Sequence, residues 1–99
     1  GYNPVSASIN ASTTDTATMT VEDNATISIT NLSTTVVELL NIIITDNGGG
    51  YSLTWNGLAT SEWVDGDVLT SLGAGKKYLV TILNIKGVQK VVNYQKIGG

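Results

Sequence analysis

Apolar and polar residues alternate with a period of two through most of this chain, and that spacing constrains its fold more than any other feature. Val5, Ala7, Ile9 and Ala11 alternate with Ser6, Ser8 and Asn10. Ala17, Met19 and Val21 alternate with Thr16, Thr18 and Thr20, and Ile27 and Ile29 with Thr26, Ser28 and Thr30. Successive side chains of a strand point to opposite faces, so each run reads as a strand with one buried face. The polar turn Glu22-Asp23-Asn24 predicts that the second and third of these strands form a hairpin. Tyr51, Leu53 and Trp55 continue the pattern, as do Tyr78, Val80 and Ile82. Lys86-Gly87, between Ile85 and Val88, is a two-residue hairpin signal leading into a last strand near Val88 to Tyr94.

The stretch from Val36 to Thr45 is apolar on both parities, which predicts a central strand, or one bulged where it changes face. β-Branched residues dominate it and no capping pattern precedes it, so a helix is disfavoured. A further short strand is expected around Val68 to Ser71. Pro4 falls at the margin of the first strand, where a missing N–H removes no ladder bond. The expectation is an all-β sandwich of two antiparallel sheets with roughly seven or eight short strands. Its expected core is Met19, Val21, Ile27, Ile29, Leu40 and Ile42, joined by Leu53, Trp55, Val80 and Ile82.

A chain of 99 residues holds one core, so residues 1–99 are read as a single domain. With 41% hydrophobic residues it carries enough apolar surface to fold, yet only 13% of it is charged. Polarity comes from 14 Thr, 8 Ser and 9 Asn, a bias that suits cell-surface β proteins. Five Lys, no Arg and a net charge of −3 leave no basic patch for nucleic acid. Cys and His are absent, which removes thiol and imidazole catalysis, disulfides and the usual zinc sites. Glu62, Asp65 and Asp67 are the one carboxylate cluster, confined to a single short loop. An Asp-Gly-Asp turn needs neither a catalytic role nor calcium to explain it, because Asp bonds its own backbone and Gly supplies positive φ. No enzymatic activity, metal or cofactor is expected. The apolar run from Val36 to Ile44 is far short of the ~20 residues of a membrane span.

Three other features point to candidate sites. Trp55 shares the parity of Leu53 and is expected in the core, whereas Trp63 lies beside loop carboxylates and is the candidate exposed aromatic contact. Asn10-Ala11-Ser12, Asn24-Ala25-Thr26 and Asn31-Leu32-Ser33 match the N-glycosylation acceptor pattern, making Asn10, Asn24 and Asn31 candidate acceptors. All five lysines lie in the last quarter of the chain, where edge-strand lysines would block sheet-to-sheet aggregation.

The order of Asn31-Leu32-Ser33-Thr34-Thr35, an apolar strand, a Gly-rich turn, Leu72-Gly73-Ala74-Gly75 and Tyr78-Leu79-Val80-Thr81-Ile82 resembles a surface-protein pattern. It is similar to bacterial and archaeal Ig-like adhesion modules and to the soluble domains of archaeal type IV pilin-like proteins, including the F- and G-type archaellum proteins. The resemblance covers roughly Asn24 to Tyr94; the family's Asn-x-Gly is Asn31-Leu32-Ser33 here, and its proline before Gly is Ala74. It implies an Ig-like sandwich outside the cell membrane, in the archaeal pseudoperiplasm, read as a fragment lacking an N-terminal hydrophobic anchor helix through which alone it would meet a membrane. The implied partners are surface-layer protein or other appendage subunits. Sheet edges guarded only by a few lysines, with no large apolar face expected beyond the core, predict at most a weak homodimer through an edge strand. A carbohydrate-binding module with Trp63 and Tyr51 as its platform is the alternative.

Overall fold

The computed structural model describes residues 5–99, so the expectation for Pro4 lies outside the described residues. Seven strands follow one another along the chain. They are β1 (Val5–Asn10), β2 (Thr16–Val21), β3 (Ala25–Thr30), β4 (Val37–Asp46), β5 (Leu53–Asn56), β6 (Lys77–Ile85) and β7 (Gln89–Gly98). Two 3₁₀ turns, Thr60–Glu62 and Val64–Gly66, lie between β5 and β6. The all-β expectation is met, but the chain does not fold as consecutive hairpins. It alternates between a three-stranded sheet of order β1-β3-β5 and a four-stranded sheet of order β2-β4-β6-β7.

That alternation corrects the expected strand sense. Parallel neighbours need a crossover between them, and here the crossover is a strand of the opposite sheet. β1 reaches β3 through β2, and β3 reaches β5 through β4, so the three-stranded sheet is parallel throughout. β2 and β4 are parallel as well, and only the β4–β6 and β6–β7 pairs are antiparallel. The predicted β2–β3 hairpin is therefore an arch: Glu22-Asp23-Asn24 carries the chain from one sheet to the other. The sheets are not both antiparallel.

Inward parity agrees with the sequence pattern. Ile27 and Ile29 of β3 face Leu40, Ile42 and Ile44 of β4, and Val80 and Ile82 of β6, in one continuous core. Val21 and Leu53 belong to it, while Met19 and Trp55 are half-buried against its margin. β4 is central, with β2 and β6 on its two sides and no bulge of its own. The register shift falls at the β6–β7 pair beside Tyr78. The Val68 to Ser71 segment forms no strand; it meets the sheet through the Ser71–Ser52 bridge and through Leu69 C=O, which accepts from Trp55 Nε1–H. Lys86 and Gly87 both take positive φ (55° and 74°) and close the β6–β7 turn, with Val88 N–H donating to Ile85 C=O at 2.9 Å. That is the backbone a type I′ turn demands.

Chain direction defines two ends. One, here the hairpin end, carries the β1–β2 and β3–β4 connections and the Lys86-Gly87 turn. The other carries Glu22-Asp23-Asn24, the Gly-rich turn after β4, and the start of β6. Val5, opposite Ala25, and Gly98, opposite Lys77, both lie at this second end.

Candidate functional site

Each polar side chain that the sequence offers for chemistry is placed by the strand or turn that carries it. Asp46 continues the inward parity of Leu40, Ile42 and Ile44, and is therefore buried at the end of β4. Its Oδ1 accepts from the N–H groups of Gly48 (2.7 Å), Gly50 (3.1 Å) and Gly75 (3.1 Å), and its Oδ2 from Tyr51 N–H (2.9 Å). Burial pushes the carboxyl up, but these four backbone donors outweigh it and lower its pKa to about 2. One carboxylate thus ties the Gly-rich turn to Leu72-Gly73-Ala74-Gly75. Tyr78 adds a second tie, its hydroxyl accepting from Gly73 N–H at 2.7 Å.

Asn84 continues the inward parity of Val80 and Ile82 and is fully buried at the hairpin end. Its Nδ2 donates to Ser33 C=O (2.8 Å) and Glu38 Oε2 (2.7 Å), and its Oδ1 accepts from Gly87 N–H (3.0 Å). Glu38 also accepts from Ser33 N–H. The Asn31-Leu32-Ser33-Thr34-Thr35 loop is held against the Lys86-Gly87 turn by this set. Asn31-Leu32-Ser33-Thr34-Thr35 and Leu72-Gly73-Ala74-Gly75 are in this way loops anchored by inward polar side chains, the first by Asn84 and Glu38 and the second by Asp46 and Tyr78.

The loop after β5 corrects the reading of Trp63. Its ring is 2% exposed and lies between Trp55 (centroids 5.2 Å apart, 65° between planes) and Tyr94 (6.2 Å, 69°). Such edge-to-face contacts suit aromatic quadrupoles. Leu58, Leu69 and Leu72 of the same loop are buried with it, so the loop is a lid on one side of the sandwich. A platform for stacking a ligand must be open to solvent, and Trp63 is not. Trp55 donates its Nε1–H to Leu69 C=O at 2.8 Å, whereas Trp63 Nε1 has no hydrogen-bond partner.

The three loop carboxylates are dispersed. Glu62 accepts from Ala59 N–H at 2.7 Å and pairs with Lys90 at 3.2 Å. Asp67 accepts from Tyr94 Oη at 3.3 Å, and burial, then the Asp67 charge, raise the Tyr94 pKa. Asp65 stands exposed at positive φ (58°). An open cleft of about 180 Å³ is lined by Val64, Asp65, Asp67, Asn93 and Tyr94. Among the described residues no three acidic, His or Cys side chains gather as metal ligands.

All three acceptor asparagines are exposed. Asn10 Oδ1 accepts from Ser12 N–H (3.0 Å), Ser12 Oγ (2.6 Å) and Asn31 Nδ2 (3.0 Å), bringing two of the sequons into contact. Asn24 Oδ1 accepts from Ser52 N–H at 3.1 Å. Of the lysines, Lys90 and Lys96 lie on the edge strand β7, and Lys76, Lys77 and Lys86 at turns or the start of β6.

No protein-family model matches the chain, and neither a curated protein nor a solved structure does. Among the described residues no helix is long and apolar enough to cross a membrane.

Proposed function

We propose that this domain is a non-enzymatic structural or interaction module of an archaeal surface appendage, of archaellum stator or filament type, acting outside the membrane on surface-layer protein or like subunits. The observation that carries the reading is the fate of its polar side chains. Asp46, Glu38, Asn84, Glu62 and Asp67 each hold backbone or a neighbouring side chain, which leaves broad sheet surfaces rather than a reactive pocket as what the molecule offers to others. A Ser, Thr and Asn coat with few charges is consistent with an extracellular setting, as are asparagine acceptors at exposed turns. The Ig-like comparison belongs to this proposal and rests on the two packed sheets and the anchored loops, not on strand sense. Of the two platform residues of the carbohydrate-binding alternative, Trp63 is buried and Tyr51 is half-buried.

The test is direct binding. The immobilised domain is expected to bind surface-layer protein saturably and to turn over no glycan or ester. Saturable binding to an oligosaccharide without binding to surface-layer protein would overturn the proposal. So would turnover that disappears in Asp65→Asn or Asp67→Asn.

A further inference from the structure

The two sheets turn opposite chemistry to solvent. The outward positions of the three-stranded sheet are Ser6 and Ser8 on β1, Thr26 and Ser28 on β3, and Thr54 and Asn56 on β5. Each carries a hydroxyl or an amide. At the hairpin end of the four-stranded sheet, the outward positions are Val37, Leu39, Leu83, Ile85 and Val91, with Gln89 opposite Ile85 as the one polar member. They are cross-strand neighbours, Val37 opposite Ile85 and Leu39 opposite Leu83, with Leu83 opposite Val91 on its other side. Val37 and Leu39 are 56% and 50% exposed, and Val88 at the turn is 88% exposed. β2 pairs with β4 only from Asn41 onward, so no strand flanks Val37 to Leu40 on that side. A chain this rich in Thr, Ser and Asn has left the hairpin end of this face apolar on β4, β6 and β7, while Thr16, Thr18 and Thr20 keep its β2 side polar.

The same face is nearly free of charge. Beyond the apolar rows come Asn41, Thr81 and Asn93 in one cross-strand row, then Ile43 and Leu79; the first outward charge is Lys77, at the far end. A lipid surface is favoured by several basic residues flanking the apolar ones, and here a single lysine, Lys86 in the turn after Ile85, lies beside them. A charged partner finds little to pair with. A second copy meets its own charge-free surface without repulsion, although the chain as a whole carries −3. The Asn41, Thr81 and Asn93 row supplies both donors and acceptors to its own image. Val5 and Gly98 lie at the opposite end, so the described chain ends lead away from the apolar rows.

We infer that the outer face of the four-stranded sheet is a self-association surface on which a second copy packs sheet to sheet. At the usual strand spacing and rise, the face measures about 500 Å² per copy, or roughly 1,000 Å² for two. That is the small end of specific interfaces, so the dimer is weak and reversible. The route differs from edge pairing: β7 carries Lys90 and Lys96, and Trp63 bridges to Val92 beside it. The inference stands apart from the appendage proposal, since it concerns only how the chain meets itself.

Sedimentation of the full chain from micromolar to millimolar concentration tests it. The weight-average mass is expected to rise towards that of a dimer, with little dependence on salt. Leu39→Lys and Leu83→Lys, each part-exposed in the single chain and covered in the dimer, are expected to weaken association about tenfold or more while leaving the circular dichroism spectrum unchanged. The wild-type chain gives a reading free of any folding defect in a variant: on dilution, amide resonances of residues 37–43, 79–85 and 89–95 should shift. A wild-type monomer at millimolar concentration would overturn the inference. Dimerisation indifferent to both substitutions would do so too, as would dilution shifts confined to the edge strands β1, β2 or β5, the mark of edge pairing.

Discussion

The two ends of the sandwich solve one problem with different chemistry. At each, irregular loops must be fixed to a sheet whose inner face is mostly apolar, and at each a buried polar residue at an inward position leads, Asp46 with the help of Tyr78 and Asn84 with the help of Glu38. Asp46 holds its end as an ionised carboxylate receiving four backbone N–H bonds, and it is the charge that makes those bonds strong. Asn84 holds the hairpin end as a neutral amide that both donates and accepts, sharing Ser33 with Glu38. The carboxylate gathers donors alone, so it suits turns that present N–H groups inward, as the Gly-rich turn does. The amide suits an end where a carbonyl and an N–H both need partners.

The comparison breaks most visibly at Asp46. Asp46→Ala orphans four N–H donors and is expected to destabilise the domain by about 3 kcal/mol or more, measured by denaturant unfolding. Because folding lowers this pKa from 3.8 to about 2, the carboxylate's contribution is present above pH 3.8 and lost as pH falls through about 2. The wild-type melting temperature should therefore fall between about pH 4 and pH 2, and Asp46→Asn should lack that part of the fall. An unchanged acid profile in Asp46→Asn would show that the charge holds nothing. Asn84→Ala is expected to cost about 2 kcal/mol, for it leaves Ser33 C=O, Gly87 N–H and one Glu38 bond without their partner. A cost equal to that of Asp46→Ala would erase the distinction between ionic and neutral anchoring.

Both anchors are legible in the sequence as polar residues at inward positions. Asp46 follows Leu40, Ile42 and Ile44 on one parity, and Asn84 follows Val80 and Ile82, so period two already placed them inside. The pairing of strands was not legible. Alternation tells which face of a strand is buried but not which strand lies beside it, and three polar residues after Val21 serve an arch as well as a hairpin. Alternation stops after Asn56 and a loop with carboxylates suggests exposure, which is why the sequence points Trp63 outward although it is buried. The signal against that was the company it keeps: a solvated loop has no use for Leu58, Val68, Leu69 and Leu72 together. The outward apolar residues of β4 were visible too, as a run without parity, but a central strand buried on both faces explains such a run equally well.

A smaller effect is expected at the hairpin-end turn that Asn84 holds. Gly87 sits at φ 74°, and a Cβ there would lie 3.2 Å from Thr34 Cγ2. Gly87→Val combines a β-branched residue in the left-handed region with that contact, and should cost about 1–2 kcal/mol in chemical unfolding. Unchanged stability would mean that the turn relaxes and that Asn84 alone keeps the end closed.

The smallest expected effect is a control for the whole comparison. Trp63 Nε1 is a buried polar atom that, unlike the side chains of Asp46 and Asn84, bonds to nothing. If the cost of replacing those two comes from the partners they leave behind, then replacing an unpartnered group must be cheap in polar terms. Trp63→Phe keeps an aromatic ring against Trp55 and Tyr94, removes an unsatisfied N–H, and loses only part of a buried surface. The lost area destabilises and the removed N–H stabilises, so the net change should stay within about 1 kcal/mol. Trp63→Ala removes the whole ring and opens a cavity, with an expected cost of about 3–5 kcal/mol that comes from packing alone. A Trp63→Phe cost as large as that of Asn84→Ala would mean that the indole N–H does have a partner in solution, and that satisfied and unsatisfied buried groups in this core do not differ as the hydrogen bonds say they should.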